Sequence, residues 1–483
     1  MAKVPLPIAN GFYKSDSLPI SAQECLNFYP SIVQAPALNQ EVLFGVPGIR
    51  QLATSGDIDE VNRGAHTKQS RPYFVNGGFL YELSEFYIDG VFKHELSKKG
   101  EIEGTGFVSM ADNGHQLMIL VPGGKGYIYS TEPDVLTEIT DPDFTANGAP
   151  QHVVFIDGYF VVTTDSKKFI VSALNDGLSY NALDFGTAEA DPDDIVAPIV
   201  FRNQLFIGGS ETLEAFQNIG GADFPFQRTG LFIDKGILAP FSITKSDTSF
   251  VFLGGAENEG PAIWSLSGND VAKISTTAID SMLNLYTRAQ LRAVFSWSYA
   301  QKGAYFVGFN LEDTTIVYDT TSGRWHERKS LIYDGDNTVL SRCRINSITS
   351  VFGKVVVGDM QDGRIGFLNP ELYKEYDQLI LRRISTQPFS NNMDSFAVAS
   401  IELTIESGVG NEEVKNPQIT MDRSLDGKTY KDLRIRKMGK IGEFKKRCIW
   451  RRNGRSSRFE TFRFTLTDPV KPVIILMTAD III

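Results

Sequence analysis

Paired acids are the first residues along this chain that could do chemistry, because a glycoside hydrolase needs two carboxylates converging across a cleft. Asp193-Asp194 and Glu412-Glu413 are such neighbours, but on a chain with 58 acidic residues solvated surface is the default reading. Serine nucleophiles need activation by a base, and no GxSxG elbow is present, nor a P-loop or a GxGxxG ahead of a helix. The five histidines, His66, His94, His115, His152 and His326, lie at no metal-ligand spacing to a second His or Cys and read as turn or strand-end residues. Cys25, Cys343 and Cys448 lie far apart with no CxxC, so they read as three reduced thiols. The expectation is a chain with no enzyme activity, no cofactor and no metal.

Positive charge is the stronger signal. Arg434, Arg436, Lys437, Lys440, Lys445, Lys446, Arg447, Arg451, Arg452, Arg455 and Arg458 fall within 25 residues, opposed only by Glu443, with Trp450 in the middle. Three readings stay open: a solvated charge run, contact with nucleic-acid phosphates, or docking on an acidic protein surface. Ile435, Met438, Ile441, Phe444, Ile449 and Trp450 are interleaved with the charges, which predicts a sheet whose apolar side packs inward. Arg and Trp also anchor protein interfaces, so protein contact is the leading expectation. Two further motifs read as turns. Ser424–Tyr430 (SLDGKTY) resembles the structural Asp-box turn of sialidase propellers, and Tyr318–Trp325 (YDTTSGRW) reads as a turn closed by a packed Trp.

The elements that must carry these residues are mostly strands. The 483 residues are 42% hydrophobic, with 33 Phe, 17 Tyr and 43 Gly, a composition suited to strands joined by tight turns. From about residue 46 to 395 one unit recurs: an apolar strand, a polar or Gly turn, a second strand. The seven copies are Arg71–Leu83, His115–Tyr129, Val153–Val171, Ile199–Phe216, Ser249–Leu266, Ala304–Asp319 and Val355–Leu368. Asn76-Gly77 and Asp157-Gly158 supply tight hairpin turns. A spacing of roughly 40–55 residues is that of propeller blades, and stacked blades bury faces that one small sheet could not. The fold class expected is all-β: a β-propeller of about seven blades at 46–395, an N-terminal extended arm at 1–45, and a small, basic antiparallel β-sandwich at 396–483. Two stacked sandwiches are the alternative for the central span.

Helical signal is confined to Ala278–Leu291 and Pro370–Leu381. The arm holds five prolines and little periodicity, and its aromatics Phe28 and Tyr29 should pack on the C-terminal unit or on an adjacent subunit. The start of the chain has no secretory h-region, and the C-terminal apolar run Val473–Ile483 is too short for a membrane helix, so it reads as a last buried strand. Charge is split: residues 401–483 hold 17 Lys+Arg against 11 Asp+Glu, a net of +6, and the other 400 carry −17. Two surfaces with different partners would follow from that.

Three stretches carry a family likeness across nearly the whole chain. They are Asn27–Pro30 leading to Gly45–Ile49 and Arg63-Gly64; Ile207–Phe216 running on to Asp234–Ile237; and Ser424–Tyr430 followed by the basic run with Trp450-Arg451-Arg452. In their order and spacing the chain resembles the packaged-DNA stabilisation protein, also called the tail accessory or hub protein, of short-tailed phages. The resemblance implies a virion tail protein made in the host cytoplasm. It implies a homo-hexameric ring below the portal and its adaptor, closing the DNA exit channel. The partners would be the portal adaptor, a needle or plug, tail fibres or spikes, and packaged double-stranded DNA in the channel. It supplies no catalytic residues. A carbohydrate-active or receptor-binding propeller of a phage tail is the alternative function. The basic run, Phe28 and Tyr29 are the candidate interface residues.

Overall fold

A strand made wholly of apolar residues needs cover on both faces. Leu117–Leu120 and Phe160–Val162 are such runs, and the computed structural model buries every side chain in them. Phe160 and Val162 pack towards Met118 and Ile128, whereas Val161 packs towards Leu205 and Ile207 on the other side. Successive side chains of one strand therefore serve two neighbouring sheets, which is how propeller blades stack. The structure describes all residues except 1–2, 9, 57–59, 189–192, 222–223, 257, 336 and 483. The first two residues of the arm and the last of the C-terminal run thus lie outside the description.

Seven blades follow one another in sequence. Blades 1 to 4 are four-stranded, running from inner to outer strand over Asn62–Lys68 to Val91–Glu101, Ser109–Asp112 to Val135–Glu138, Pro150–Ile156 to Asp176–Thr187, and Ile195–Phe201 to Phe226–Ile233. Blade 5 is built on Phe250–Gly255, Ala262–Ser267 and Asp270–Lys273, with the short strands Thr244–Lys245 and Gly236–Ile237 both pairing on the first of these. Blade 6 spans Phe295–Gln301 to Arg324–Asp334. Blade 7 contributes Ile345–Val351, Lys354–Asp359 and Arg364–Asn369, and takes its fourth strand, Gly48–Thr54, from the start of the chain. At the seam with blade 1, the Asn346 amide donates to the Asn62 carbonyl at 2.6 Å and Lys354 pairs with Glu85. Gly358 has no Cβ there for a reason: one would sit 2.2 Å from Asn62.

The sandwich has two sheets. Arg382–Ser385, Thr461–Leu466, Gln418–Ser424 and Lys431–Lys437 form one; Cys448–Arg451, Phe396–Ile405 and Val473–Ile482 lie side by side in the other, the first at its edge. The arm is woven through both. Lys3–Leu6 and Glu41–Gly45 pair along Val473–Ile482, and Phe28–Ile32 pairs with Glu41–Gly45. Cys25–Leu26 lies between the outer strand of blade 6 and the sandwich, with Leu26 opposite Glu327 on one side and Arg383 on the other. Ten strands thereby join into a single sheet from propeller to sandwich, and one apolar core contains Phe12 and Phe28 of the arm, Ile316 and Trp325 of blade 6, and Trp450 and Phe464 of the sandwich.

Several local expectations are corrected. The sandwich takes strands from before residue 396: Arg382–Ser385 and those of the arm. Ala278–Leu291 is two short helices, Thr277–Leu283 and Arg288–Arg292, because Thr287 caps a fresh start with Gln290 as its capping-box partner. Pro370–Leu381 is not helical; Lys374–Glu375 and Gln378–Leu379 make a small hairpin whose turn residues Tyr376 and Asp377 both have positive φ. The Asp157-Gly158 turn stands as expected, with φ of +51° and +89°. In the other hairpin Asn76 pairs with Phe79, so the turn is Gly77-Gly78, one residue further on.

Candidate interaction surface

The basic run occupies the far edge of the sandwich. Lys431–Lys437 is the last strand of the ten-stranded sheet, and Cys448–Arg451 is an edge strand of the opposite sheet. Two of its arginines hold these edges together. Arg434 donates to the Arg451 carbonyl at 2.8 Å and to the Asn453 side chain, while Arg436 donates to the Ile449 carbonyl at 2.7 Å. Burial, with Arg436 and Arg423 nearby, lowers the pKa of Arg434. Trp450 is fully buried, donates its indole N–H to the Arg434 carbonyl at 3.1 Å and meets Phe464 edge-on. Arg447 grips Glu402 through Nε at 2.5 Å and Nη2 at 2.6 Å, and Lys3 of the arm reaches the same carboxylate at 2.7 Å. The Arg447 hydrogen bond, with Lys3 behind it, holds the Glu402 carboxyl down to about 2. Arg455 donates to Ser395.

The other basic side chains, Lys437, Lys440, Lys445, Lys446, Arg451, Arg452 and Arg458, are exposed and form no ion pair among the described residues. The expected inward apolar side is only half right. Met438 and Trp450 are buried and Ile449 is half-buried, but Ile435, Ile441 and Phe444 point to solvent, as does Leu433. No further sheet covers an edge, so alternation there does not lead to burial. Of the arm's candidate interface residues, Phe28 packs on the C-terminal unit, the first of the two expectations, whereas Tyr29 packs on blade 6. Both are buried within their own chain, Tyr29 edge-on to Phe306 at 5.0 Å.

One exposed feature escaped the sequence reading. Beyond Glu82 the outer strands of blade 1, Phe79–Ile88 and Val91–Glu101, pair only with each other and end in an Asp89-Gly90 turn. Phe86, Tyr87, Ile88, Val91 and Phe92 are exposed at this tip. The signal was the apolar cluster flanking Asp-Gly, which reads as core when every strand is assumed covered.

The propeller axis is stopped by aromatic rings. Phe107 precedes the inner strand of blade 2, Phe241 that of blade 5, and Phe295 opens that of blade 6. Phe107 lies 5.0 Å from Phe295 and 5.4 Å from Phe241, and His152 of blade 3 meets Phe241 at 4.7 Å. Blades 2 and 3 stand opposite blades 5 and 6, so these contacts cross the axis. A cavity of about 290 Å³ there is lined by Phe107, Phe241 and Phe295 together with Trp297 and Arg63. Burial lowers the His152 pKa to about 4, so this ring stays neutral.

The other residues singled out for chemistry serve local structure. Asp193 accepts from the backbone of Glu211 and Thr212, and Glu413 pairs with Lys374. Burial pushes the thiols of Cys343 and Cys448 up to about 11, and that of Cys25 higher still. In the Ser424–Tyr430 turn, Asp426 accepts from the backbone of Lys428 and Thr429. Trp325 is buried with its N–H on the Ile274 carbonyl. Among the described residues no group of three or more His, Cys, Asp or Glu is placed to hold a metal ion, and no helix is long and apolar enough to cross a membrane.

Known proteins give this geometry a relative. Residues 4–373 match the family model described as bacteriophage P22 Gp10, beta-propeller, and residues 382–481 match that described as bacteriophage P22 Gp10, beta-sandwich. No curated protein matches. Similar solved structures include the computationally designed Ika8 protein (11% identity, 66% of this chain and 99% of that one, TM-score 0.36). They also include the WD40 β-propeller domain of Doa1 (14%, 67% and 97%, 0.39) and PorZ of the Porphyromonas gingivalis type-IX secretion system (10%, 73% and 44%, 0.37). With both of its domains matched in order over nearly its full length, the chain belongs to the bacteriophage P22 Gp10 family of phage structural proteins.

Proposed function

We propose that this chain is a non-catalytic tail hub, assembling as a ring of copies below the portal and its adaptor, closing the DNA exit channel after packaging and carrying fibres or spikes. The observation that carries this reading is the match of both domains to one phage structural family. The aromatic closure of the propeller axis supports a channel formed between copies rather than within one. The net charge of −17 over residues 1–400 favours walls that repel phosphate, so that DNA leaves without being gripped. The exposed hairpin tip of blade 1 and the basic edge of the sandwich offer separate docking surfaces for neighbours in the tail.

The test is a phage whose copy of this gene is disrupted, examined by electron microscopy beside wild-type virions labelled at this protein. The expected result is label at the tail vertex and, in the mutant, heads that package and then lose their DNA. Label confined to fibre tips, with cleavage of host polysaccharide by the purified chain, would overturn the reading.

A further inference from the structure

The chain's charge is segregated more sharply than its two domains. Residues 131–188, which run from the outer part of blade 2 through blade 3, hold 9 Asp+Glu and only 2 Lys. The free edge of the sandwich, residues 434–458, holds the reverse. Each surface also shows large apolar side chains to solvent: Leu174 (62% exposed) and Leu183 (80%) on blade 3, Ile441 (78%) and Phe444 (76%) on the sandwich. Lysines on an edge strand can simply guard it against stray pairing. That role would not bring exposed Ile and Phe with it, since they weaken the guard. A surface serving only to attract phosphate has no use for them either.

The two surfaces cannot meet within one molecule. The composite sheet leaves the propeller at blade 6 and runs outward to Lys431–Lys437, while blades 2 and 3 stand across the ring from blade 6. Both surfaces have charges to spare. Glu132, Asp157 and Asp184 on one, and Lys445, Lys446, Arg451 and Arg452 on the other, form no ion pair among the described residues. We infer that the free edge of the sandwich docks on blades 2 and 3 of a second copy of this chain, at the end that carries the turns of Glu132, Asp157 and Leu174 and along the outer strand of blade 3 with Leu183 and Asp184, Lys and Arg facing Asp and Glu around an apolar centre. Two different surfaces on opposite sides make a heterologous contact, and its repetition either closes a ring or runs on as a filament. The inference rests on the reading of the chain as a self-assembling tail component and names the surfaces through which it would assemble.

Charge exchange tests it with the full-length chain. One variant carries K445E, K446E, R451E and R452E; a second carries E132K, D157K and D184K. Mass in solution is measured at low and high salt, with circular dichroism confirming that each variant is folded. The wild type should associate, less so at high salt. Each variant alone should associate at least about tenfold more weakly, as charge pairs facing each other across an interface require. An equimolar mixture should regain association, because each reversed surface then meets its complement on the other variant. If both variants associate like the wild type, copies assemble through other surfaces and the inference falls while self-assembly stands. A wild type that stays monomeric at every concentration sinks the self-assembly reading and this inference with it. If the first variant loses binding to a short DNA duplex but not self-association, the edge is a DNA surface and the inference is overturned.

Discussion

Glu402 ties three parts of the chain with one carboxylate: its own strand, Arg447 of the basic loop and Lys3 of the arm. Its folded pKa of about 2 lies below the ordinary value of 4.5. The stability it supplies is therefore present above about pH 4.5 and lost as pH falls towards 2. Thermal melts of E402Q should sit below wild type at neutral pH and converge with it on acidification; a gap that does not depend on pH would contradict this. Trp450 and Arg452 are near neighbours with opposite roles. Trp450→Ala opens a cavity between the sheets and should cost about 3–5 kcal/mol by chemical denaturation. Arg452→Ala, on the exposed side, should stay within about 0.5 kcal/mol. The residue types of the basic edge were legible in the sequence, but their sorting was not. Arg434 and Arg436 are spent on the backbone of the facing strand, a partner that no local spacing reveals.

Strands that pair with sequence neighbours were readable, and strands that pair at a distance were not. Each blade announces its inner hairpin as two apolar runs around a turn, because those runs are covered on both faces. Gly48–Thr54 shows no such run; its burial comes from blade 7, some 300 residues later. Cys25–Leu26 is only two residues long, yet it joins propeller to sandwich. A chain begun at residue 46 should consequently lose more than an ornament. It would leave Phe12, Phe28 and Leu43 missing from the shared core and an open seam between Glu327 and Arg383. Such a truncation should be insoluble or cleaved rapidly by protease, where the intact chain resists; a soluble, cooperatively melting product would refute the architecture drawn for the arm.

At the scale of the molecule, residues 1–400 carry −17 and residues 401–483 carry +6 as counted in the sequence. The phenylalanines that stop the propeller axis test where DNA runs. Phe107→Ala with Phe295→Ala should widen the cavity of about 290 Å³ behind them and lower stability. If the exit channel lies between copies, virions built with this double variant should keep their DNA as well as wild type. Leakage from otherwise complete particles would instead put the DNA path through the propeller itself.

The strand that closes the propeller has a consequence for how the protein is made. Gly48–Thr54 emerges from the ribosome long before its partner Arg364–Asn369, and Lys3–Leu6 waits for Val473–Ile482, some 470 residues later. At typical rates of synthesis the first wait is about 15–60 s. Through that interval the nascent chain carries an unpartnered β-edge, and Phe12 and Phe28 of the arm lack the sandwich half of their core. Folding of this protein is thus set by late residues: the ring of blades waits for Arg364–Asn369, and the sandwich for Val473–Ile482. Ribosome-stalled chains that stop near residue 400 should remain protease-sensitive along their whole length, and release of the full chain should confer resistance on the N-terminal segment and the C-terminal strand at the same moment.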